Sequence, residues 1–583
     1  MAYVIAPEHC TNCGRCSMAC PTHSITGTPD GAPTIRRDTC TECGACVRVC
    51  PLDAMYKESE PWPAPVPHEP ITLDCDLCVI GGGGGGLVAA GRFAWLTGKK
   101  VIVLEKMRKC GGSAWFASTM RMYGSQWQKD RGVEDNLNDQ LVNIMDQTYW
   151  ELDSHLVRNA LVGTGKWFDW LGELDPQRDS KFVESFYVFD GPDSMITPGY
   201  CEPGGRIGSP ESNGTGWYAT QLMQKVILEK GGEILTQHRA KQLVMENGKV
   251  TAVIAQDPGG EVRVNCKACV MSPGSWINNQ EILDRCVPEF GRLPRGVSSH
   301  CHIACTGDGI GLAESADAFI DYDSFCMRLM GGAGMAPGKT ALAMTTGPYA
   351  VYVNQNGQRW INELTMGRSS FFAVATALVY QPEGKNWCIF DEEMAKAASK
   401  RPFRSIKKKF NPIPEVPVPE NCDEDLRVNA ARAPEQLISA DTIEELAEKL
   451  GVPAENLKET IARYNRMCNQ GRDDDFFKEA QDMIPFGNGP YYAVGGGVGT
   501  DGAFGGVRVN ENIQAYAQDR KTLIENLYVP GDFASGRFLN MHGYKVQILN
   551  DLSWAMSSGF IAGTHAALMA QGKTEKEALY ATL

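Results

Sequence analysis

Asp76-Leu77-Cys78-Val79-Ile80-Gly81-Gly82-Gly83-Gly84-Gly85-Gly86-Leu87-Val88-Ala89-Ala90 is the stretch that decides the fold. Asp76–Ile80 reads as a buried strand, the six glycines as a turn, and Leu87 to about Leu96 as a helix. A second apolar run, Lys100–Leu104, ends at Glu105. Strand, glycine turn, helix, strand and acid make a βαβ unit. The glycines fall as Gly81-x-Gly83-x-x-Gly86, with Glu105 nineteen positions after Gly86. In that setting the pattern is a dinucleotide fingerprint. Gly81 permits the tight turn, Gly83 lets backbone N–H groups reach a pyrophosphate, and Gly86 packs helix on strand. The helix N-terminus stabilises phosphate charge, and Glu105 is expected to accept from ribose hydroxyls. These residues alone leave FAD and NAD both open.

Upstream, eight cysteines fall in two identical runs, Cys10-x2-Cys13-x2-Cys16-x3-Cys20-Pro21 and Cys40-x2-Cys43-x2-Cys46-x3-Cys50-Pro51. This is the bacterial ferredoxin ligand spacing, in which the fourth cysteine crosses to the other cluster. Cys10, Cys13, Cys16 and Cys50 are expected to hold one [4Fe–4S] cluster, and Cys40, Cys43, Cys46 and Cys20 the second. Zinc also takes thiolates, but its knuckles use paired CxxC rather than a triple run ending in Cys-Pro. The chain is therefore expected to carry single electrons.

Composition bounds the rest. A chain of 583 residues is too long for one core. A net charge of −14 makes nucleic acid a poor partner. No apolar run is long enough to span a bilayer, and residues 1–10 lack the features of an export signal, so a cytoplasmic location is expected. With 21 cysteines, eight of them committed to clusters, a reducing compartment is expected rather than a disulfide framework. Cys75-x2-Cys78 and Cys266-x2-Cys269 resemble metal pairs, but each lies in or beside a strand-like run. Residues three apart on a strand face opposite ways, so these are read as buried free thiols.

Along the chain, Pro61–Pro67 reads as a stiff, extended linker. Asn247-Gly248 predicts a hairpin between Gln242–Glu246 and Val250–Gln256, and Asn356-Gly357 another between Ala350–Asn354 and Gln358–Asn362. Thr442-x-x-Glu445 opens a helix that Gly451 closes. From about Asn550 to Ala570 the chain reads as a long helix with small residues on one side.

Several further segments carry a resemblance. They are Cys110-Gly111-Gly112-Ser113, Ser272-Pro273-Gly274-Ser275-Trp276, Thr306-Gly307-Asp308-Gly309 and Val353-Asn354-x-x-Gly357-x-Arg359-Trp360-x-Asn362-Glu363. Ala462-Arg463-Tyr464-Asn465 with Gly471-x-Asp473, Tyr528-Val529-Pro530-Gly531-Asp532, and His542-Gly543 with Asn550 complete the set. Together they make residues 74–583 resemble the fumarate reductase/succinate dehydrogenase flavoprotein superfamily. The resemblance implies FAD, held by Gly81, Gly83, Gly86, Glu105, Lys106, Gly111, Gly112, Ser113, Gly274, Asp308, Asp532 and Asn550. It implies a multidomain α+β and α/β fold: a ferredoxin-like 2[4Fe–4S] module (1–58), a linker (59–73), and a Rossmann-type FAD domain (74–320 and 495–583) split around an α+β capping domain (321–494). It further implies that the last helix aims its N-terminus at the flavin N1/O2 edge.

The departures narrow the chemistry. Where that family grips two carboxylates with histidine and arginine, this chain has Gly502 and Val546. Its proton-relay positions fall on Ala343 and Thr346, and its acid arginine falls on Gly367, beside Arg368. A more apolar pocket follows, with a substrate other than fumarate or succinate. Arg368, Tyr349, Tyr544 and Lys545 are the candidate catalytic residues; Arg328 and His542 are weaker ones. The resemblance implies a reductase of an activated C=C bond (an enoate or enone), fed through the clusters by a low-potential donor such as ferredoxin or flavodoxin. A ketosteroid-like dehydrogenase exporting electrons, and an electron-transfer subunit of a larger complex, are the alternatives. The sequence is also compatible with a homo-oligomer.

Overall fold

A computed structural model describes residues 3–7, 10, 16, 20–22, 24–28, 31–50, 53–60, 62, 65–117, 120, 122–130, 137–147, 150–177, 183–187, 197–201, 215–291, 298–299, 301–331, 336–365, 371–401, 417–535 and 551–574. Their contacts divide the chain into two units. One comprises 1–287, 300–327 and 502–583; the other comprises 288–299 and 328–501.

The first unit is built on the predicted βαβ. β1 (Leu77–Ile80) and β2 (Val101–Glu105) are buried along their whole length and flank α1 (Gly84–Thr97) in sequence. Burial on both faces explains the unbroken apolar runs. β3 (Glu233–Thr236), β4 (Ala268–Met271), β5 (Gln514–Tyr516) and β6 (Leu523–Tyr528) complete a sheet of order β3-β2-β1-β4-β6-β5. All its pairings are parallel except β5 with β6. α1 starts three residues earlier than the apolar pattern suggests, at Gly84, and ends on Gly98, whose φ of 63° suits glycine.

α2 (Asp551–Ala570) packs along α1. The small-residue face is what lets them meet. A Cβ on Gly559 would lie 2.3 Å from the Gly85 carbonyl oxygen, and one on Gly563 2.5 Å from that of Ala89. The two backbones are in contact through these positions. A four-stranded sheet, Arg239–Glu246, Lys249–Gln256, Glu261–Asn265 and Ile71–Asp74, lies in the same unit. Its first hairpin turns on Asn247 and Gly248 with φ of 52° and 76°, the signs a type I′ turn demands.

The N-terminal module joins this unit. Strand Tyr3–Ile5 pairs antiparallel with Met55–Lys57, and Ile25–Thr28 with Gly31–Ile35. A small core of Ile5, Cys16, Ile25, Cys46 and Met55 lies between them. The described part of the linker is anchored. Arg108 lies 3.9 Å over the Trp62 ring, and His68 bonds Asp257 at 2.9 Å before strand Ile71–Asp74 begins.

The second unit centres on strand Tyr491–Phe504, which pairs antiparallel with Lys385–Asp391, which in turn pairs with Val351–Val353. Helices Lys339–Thr346, Glu392–Ser399, Cys422–Arg432, Ile443–Leu450 and Ala454–Gln470 enclose its core. Thr442 caps Ile443–Leu450 by accepting from Glu445 N–H at 3.1 Å, and Gly451 ends it at φ 66°. Glu445 reaches back to the Asp441 N–H, one residue earlier than a capping box requires.

Two expectations are corrected. The second hairpin has no second arm: Val353 makes a single bridge to Arg359 and the ladder stops. Arg359 turns inward instead, bonding Glu363 at 2.8 Å and Asp473 at 2.8 Å, while Lys478 reaches Glu363 at 3.2 Å. The four side chains are 0–4% exposed. This charge network redirects the strand. Second, the two CxxC pairs do not alternate across strands. Cys75 and Cys266 stand at joints between strands, where alternation breaks. Cys78 consequently lies close to Cys75 and within the field of Cys266 and Cys269, while Cys75 Sγ donates to the Asn265 carbonyl at 3.6 Å. All four are buried free thiols, and burial with these neighbours holds Cys78 and Cys269 well above the ordinary thiol range.

Candidate functional site

The carboxyl ends of β1, β2, β4 and β6 bring together segments far apart in sequence, as expected where an open parallel sheet binds a ligand. The three fingerprint glycines differ in what surrounds them. A Cβ on Gly81, at φ 95°, would lie 2.1 Å from the Ser272 carbonyl oxygen, and one on Gly86 2.0 Å from the Gly81 carbonyl oxygen. Those two glycines serve the turn and the packing. Gly83, the N-cap of α1, faces open space: a Cβ there would meet nothing within 4 Å. That open N-terminal cradle is where a pyrophosphate would be held by backbone N–H groups.

Glu105 is buried, and its carboxylate accepts from Gly82 N–H at 2.8 Å and Met107 N–H at 2.7 Å. Burial raises its pKa against those two donors. Each oxygen keeps a free lone pair, which suits a ribose hydroxyl donor. Lys106 and Asp308 meet at 3.1 Å, and Arg239 forks onto Asp308 at 2.8 Å through both nitrogens. Asp308 desolvation is outweighed by these partners, which bring its pKa down to about 2. Asp308 is therefore a tie between loops, with both oxygens engaged. Arg239, which no motif marks, completes it.

The Gly111–Ser113 turn lies against the glycine loop: Gly111 N–H bonds Gly82 C=O at 2.7 Å, and φ is 130° at Gly111 and 52° at Gly112. Ser113 Oγ accepts from His302 N–H at 3.0 Å and lies 3.5 Å from Cys305 Sγ. Gly274 (φ 77°) stands beside Cys305. Gly531, next to Asp532, is locked by Ser558 and Trp554 of α2, at 3.0 and 2.9 Å. The glycine loop, the Gly111–Ser113 turn, Cys305 and Gly274 are linked through these contacts. The residues fit an FAD: an open helix N-terminus for the phosphates, a buried carboxylate for the ribose, and a wall of glycine-rich turns.

The cysteine runs fit iron–sulfur ligation. Cys46 is buried, with Cys40 and Cys43 beside it, so three sulfurs of that run stand together. Cys20 Sγ receives Ser24 N–H at 3.2 Å and lies 3.5 Å from Thr22 Oγ1; Cys50 Sγ receives Ala54 N–H at 3.3 Å. Among the described residues no three His, Cys, Asp or Glu side chains converge as the ligands of one metal ion. A cubane spreads its four thiolates around separate corners.

The module meets the flavoprotein portion of its own unit beside this site. Cys50 and Ala54 pack with Cys10 and Ile303. Lys109, immediately before Cys110-Gly111-Gly112-Ser113, bonds Asp53 at 2.9 Å and the Cys50 carbonyl at 3.5 Å. Lys109 is missed by sequence reasoning because its partners lie in another module.

Of the candidate catalytic residues, Arg368, Tyr544 and Lys545 lie outside the described residues, as do Cys13, Asn550 and His542. Tyr349 is buried in the core of the second unit, with Arg401 5.9 Å from its ring. At Gly502 a Cβ would lie 2.5 Å from the Phe504 ring and 2.9 Å from an Asp551 oxygen. Phe504 thus fills the space a larger side chain at 502 would take. Trp276, buried, stacks on Phe325 at 5.0 Å and donates to the Gly505 carbonyl at 3.3 Å.

Residues 76–545 match the family described as FAD binding domain, and residues 2–66 match the 4Fe-4S dicluster domain. The chain belongs to the FAD-binding fumarate reductase/succinate dehydrogenase flavoprotein family and carries an N-terminal iron–sulfur domain. Among its relatives is a vinyl phenol reductase of Lactiplantibacillus plantarum, 25% identical over 518 residues, or 84% of this chain and 96% of the relative. A urocanate reductase of Eggerthella lenta is 24% identical over 545 residues, 89% and 80% of the two chains. The solved structure of a flavocytochrome c3 fumarate reductase in its open conformation aligns with a TM-score of 0.63 at 22% identity, covering 85% and 79%. No helix among the described residues is long and apolar enough to cross a membrane.

Proposed function

We propose that this chain reduces an activated C=C bond of a small, apolar or aromatic unsaturated substrate, with electrons delivered singly through two [4Fe–4S] clusters to FAD. Once reduced by two electrons passed singly through the clusters, a bound FAD would supply hydride to one alkene carbon. The observation that carries this reading is the seating of Cys50 and Ala54 against Ile303 and Lys109, at the turn that continues into Gly111, Gly112 and Ser113. The segment drawn from sequence at 321–494 would serve as the cap of an FAD domain formed by 74–320 and 495–583.

The chain's own residues would act as follows. The Gly83 cradle and Glu105 hold the dinucleotide. Phe504 over Gly502, and Trp276 stacked on Phe325, make that neighbourhood apolar, which suits an unsaturated system attached to an aromatic or carbonyl group. With glycine at 502, and Phe504 and Asp551 against it, a carboxylate-gripping histidine has no place there. Relatives are named for vinyl phenol and urocanate as well as for fumarate, so the reading against fumarate rests on Gly502 and its neighbours. The proton for the second alkene carbon would come from Arg368, Tyr544 or Lys545. A low-potential carrier of the ferredoxin or flavodoxin type is the proposed donor.

The test is anaerobic reoxidation. The holoenzyme is reduced with dithionite or reduced ferredoxin and mixed with a panel of vinyl arenes, unsaturated acids, thioesters and cyclic enones. At least one aromatic or enone member should reoxidise the flavin faster than fumarate. A panel in which no member does so would sink the reading.

A further inference from the structure

We propose that the two cysteine runs are not equivalent: the cluster on Cys10, Cys13, Cys16 and Cys50 faces the flavin, Lys109 is the positioning residue that holds it there, and the Cys40–Cys46 run is where the reduced partner delivers its electrons. This rests on the electron path proposed above.

Three independent contacts tie the Cys50 end to the flavoprotein portion. Cys50 and Ala54 are buried with Cys10 and Ile303 in one apolar cluster. Ile303 adjoins His302, whose N–H bonds Ser113 of the flavin turn at 3.0 Å. Lys109 Nζ, about a third exposed, bridges Asp53 and the Cys50 carbonyl at 2.9 and 3.5 Å. Arg108, the preceding residue, covers Trp62 at 3.9 Å, and Trp62 lies 5.0 Å from Tyr56 in the strand after Asp53. Residues 108 and 109 thus clasp the segment that carries Cys50, and the next four residues are the glycine turn.

At the other cluster, the loop ahead of Cys46 is open to solvent. Thr41, Glu42 and Cys43 are all exposed. Cys20, the fourth ligand on that side, takes its sulfur contacts from Thr22 and Ser24 of its own module. A partner reaching the module from solvent meets Cys43, whereas Cys50 is covered by the same chain. Each electron that passes oxidises one donor molecule by one and reduces the flavin by one. Two passages supply the pair that later leaves with hydride.

Lys109 also places a point charge beside the Cys50 ligand, and a positive charge near a cluster favours its reduced form. The experiment compares Lys109→Met and Lys109→Arg in the reconstituted holoenzyme, with no unsaturated substrate present. In an EPR-monitored redox titration, Lys109→Met should lower the midpoint potential of one cluster only, and Lys109→Arg should restore it. In stopped flow, flavin reduction through the clusters should slow by about tenfold in Lys109→Met and stay within about twofold in Lys109→Arg. Both cluster potentials unmoved, both moved equally, or an unchanged rate would overturn the assignment. If Lys109→Met loses its clusters, Asp53→Asn, which frees the lysine from its tie, is read by the flavin-reduction rate alone, and an unmoved rate there counts against the proposal equally. An enzyme that reduces no alkene would defeat the proposed function while leaving this result standing.

Discussion

Glu363, Asp473, Arg359 and Lys478 bury two negative and two positive charges in the second unit, all within bonding distance of a partner. Burial alone would neutralise Lys478, and its pKa is lowered for that reason, against the pull of Glu363. Glu363, by contrast, is kept ionised by Lys478 and Arg359 despite its burial. Removing one partner leaves an uncompensated charge in the interior, which typically costs about 3–5 kcal/mol. Glu363→Gln should therefore lower the stability measured by urea unfolding by that order, and a change under about 1 kcal/mol would show the network to be dispensable. The histidines give a pH dependence. Burial, with Lys106 adding to it at His302, brings His302 and His565 down to about 4. Unfolded histidines take up protons as pH falls through about 6.5, while the folded ones do so only near 4. Stability is therefore lost progressively between those values, by up to about 3 kcal/mol for each. Asp391 works in the opposite sense, since burial pushes it up to about 6 from 3.8 and the folded state gains the proton first. The check is a difference: His565→Gln should flatten the slope of stability between about pH 6.5 and 4 relative to the unaltered chain. Of these groups, the sequence marks Arg359, Glu363 and Asp473, through the segments that carry the resemblance. Lys478 and His302 carry no local signal, because their environments are made by residues remote in the chain.

At the scale of elements, the glycine run was legible because strand, turn and helix each have a period or composition of their own. What was hidden is the division of labour among the glycines, which depends on neighbours such as Ser272. That division is testable. Gly83 has φ −81° and open space in front of it, so Gly83→Ala should melt within a few degrees of the unaltered chain. Its methyl would stand in the phosphate cradle, and FAD affinity should fall by about tenfold or more, roughly 1.4 kcal/mol, by fluorescence titration of the apoprotein. Unchanged affinity would move the pyrophosphate elsewhere. The failed second hairpin shows the opposite limit. Asn356-Gly357 supplies a turn, but a turn does not make a ladder when the following side chain is pulled into a buried ion network. The CxxC pairs teach the same lesson: strand alternation is a rule about strand interiors, and Cys75 and Cys266 sit at joints.

At the scale of the whole molecule, the sequence made the order of modules legible, since cysteine spacing, proline content and the nucleotide fingerprint are all local. The seating of the N-terminal module was not, because Lys109, Asp53 and Ile303 are unremarkable until folded together. Nor was the dependence of residues 84–97 on residues 551–570, whose backbones touch at Gly85, Ala89, Gly559 and Gly563. That last contact has a temporal meaning. During synthesis the glycine turn leaves the ribosome more than four hundred and fifty residues before the helix that braces it. For most of translation after that point α1 therefore has an unpartnered flank, and Gly531, once made, still awaits the serine and tryptophan that fix it. Prosthetic-group capture is consequently a late event in the life of the polypeptide, and a nascent chain halted near residue 535 would emerge colourless at its nucleotide end.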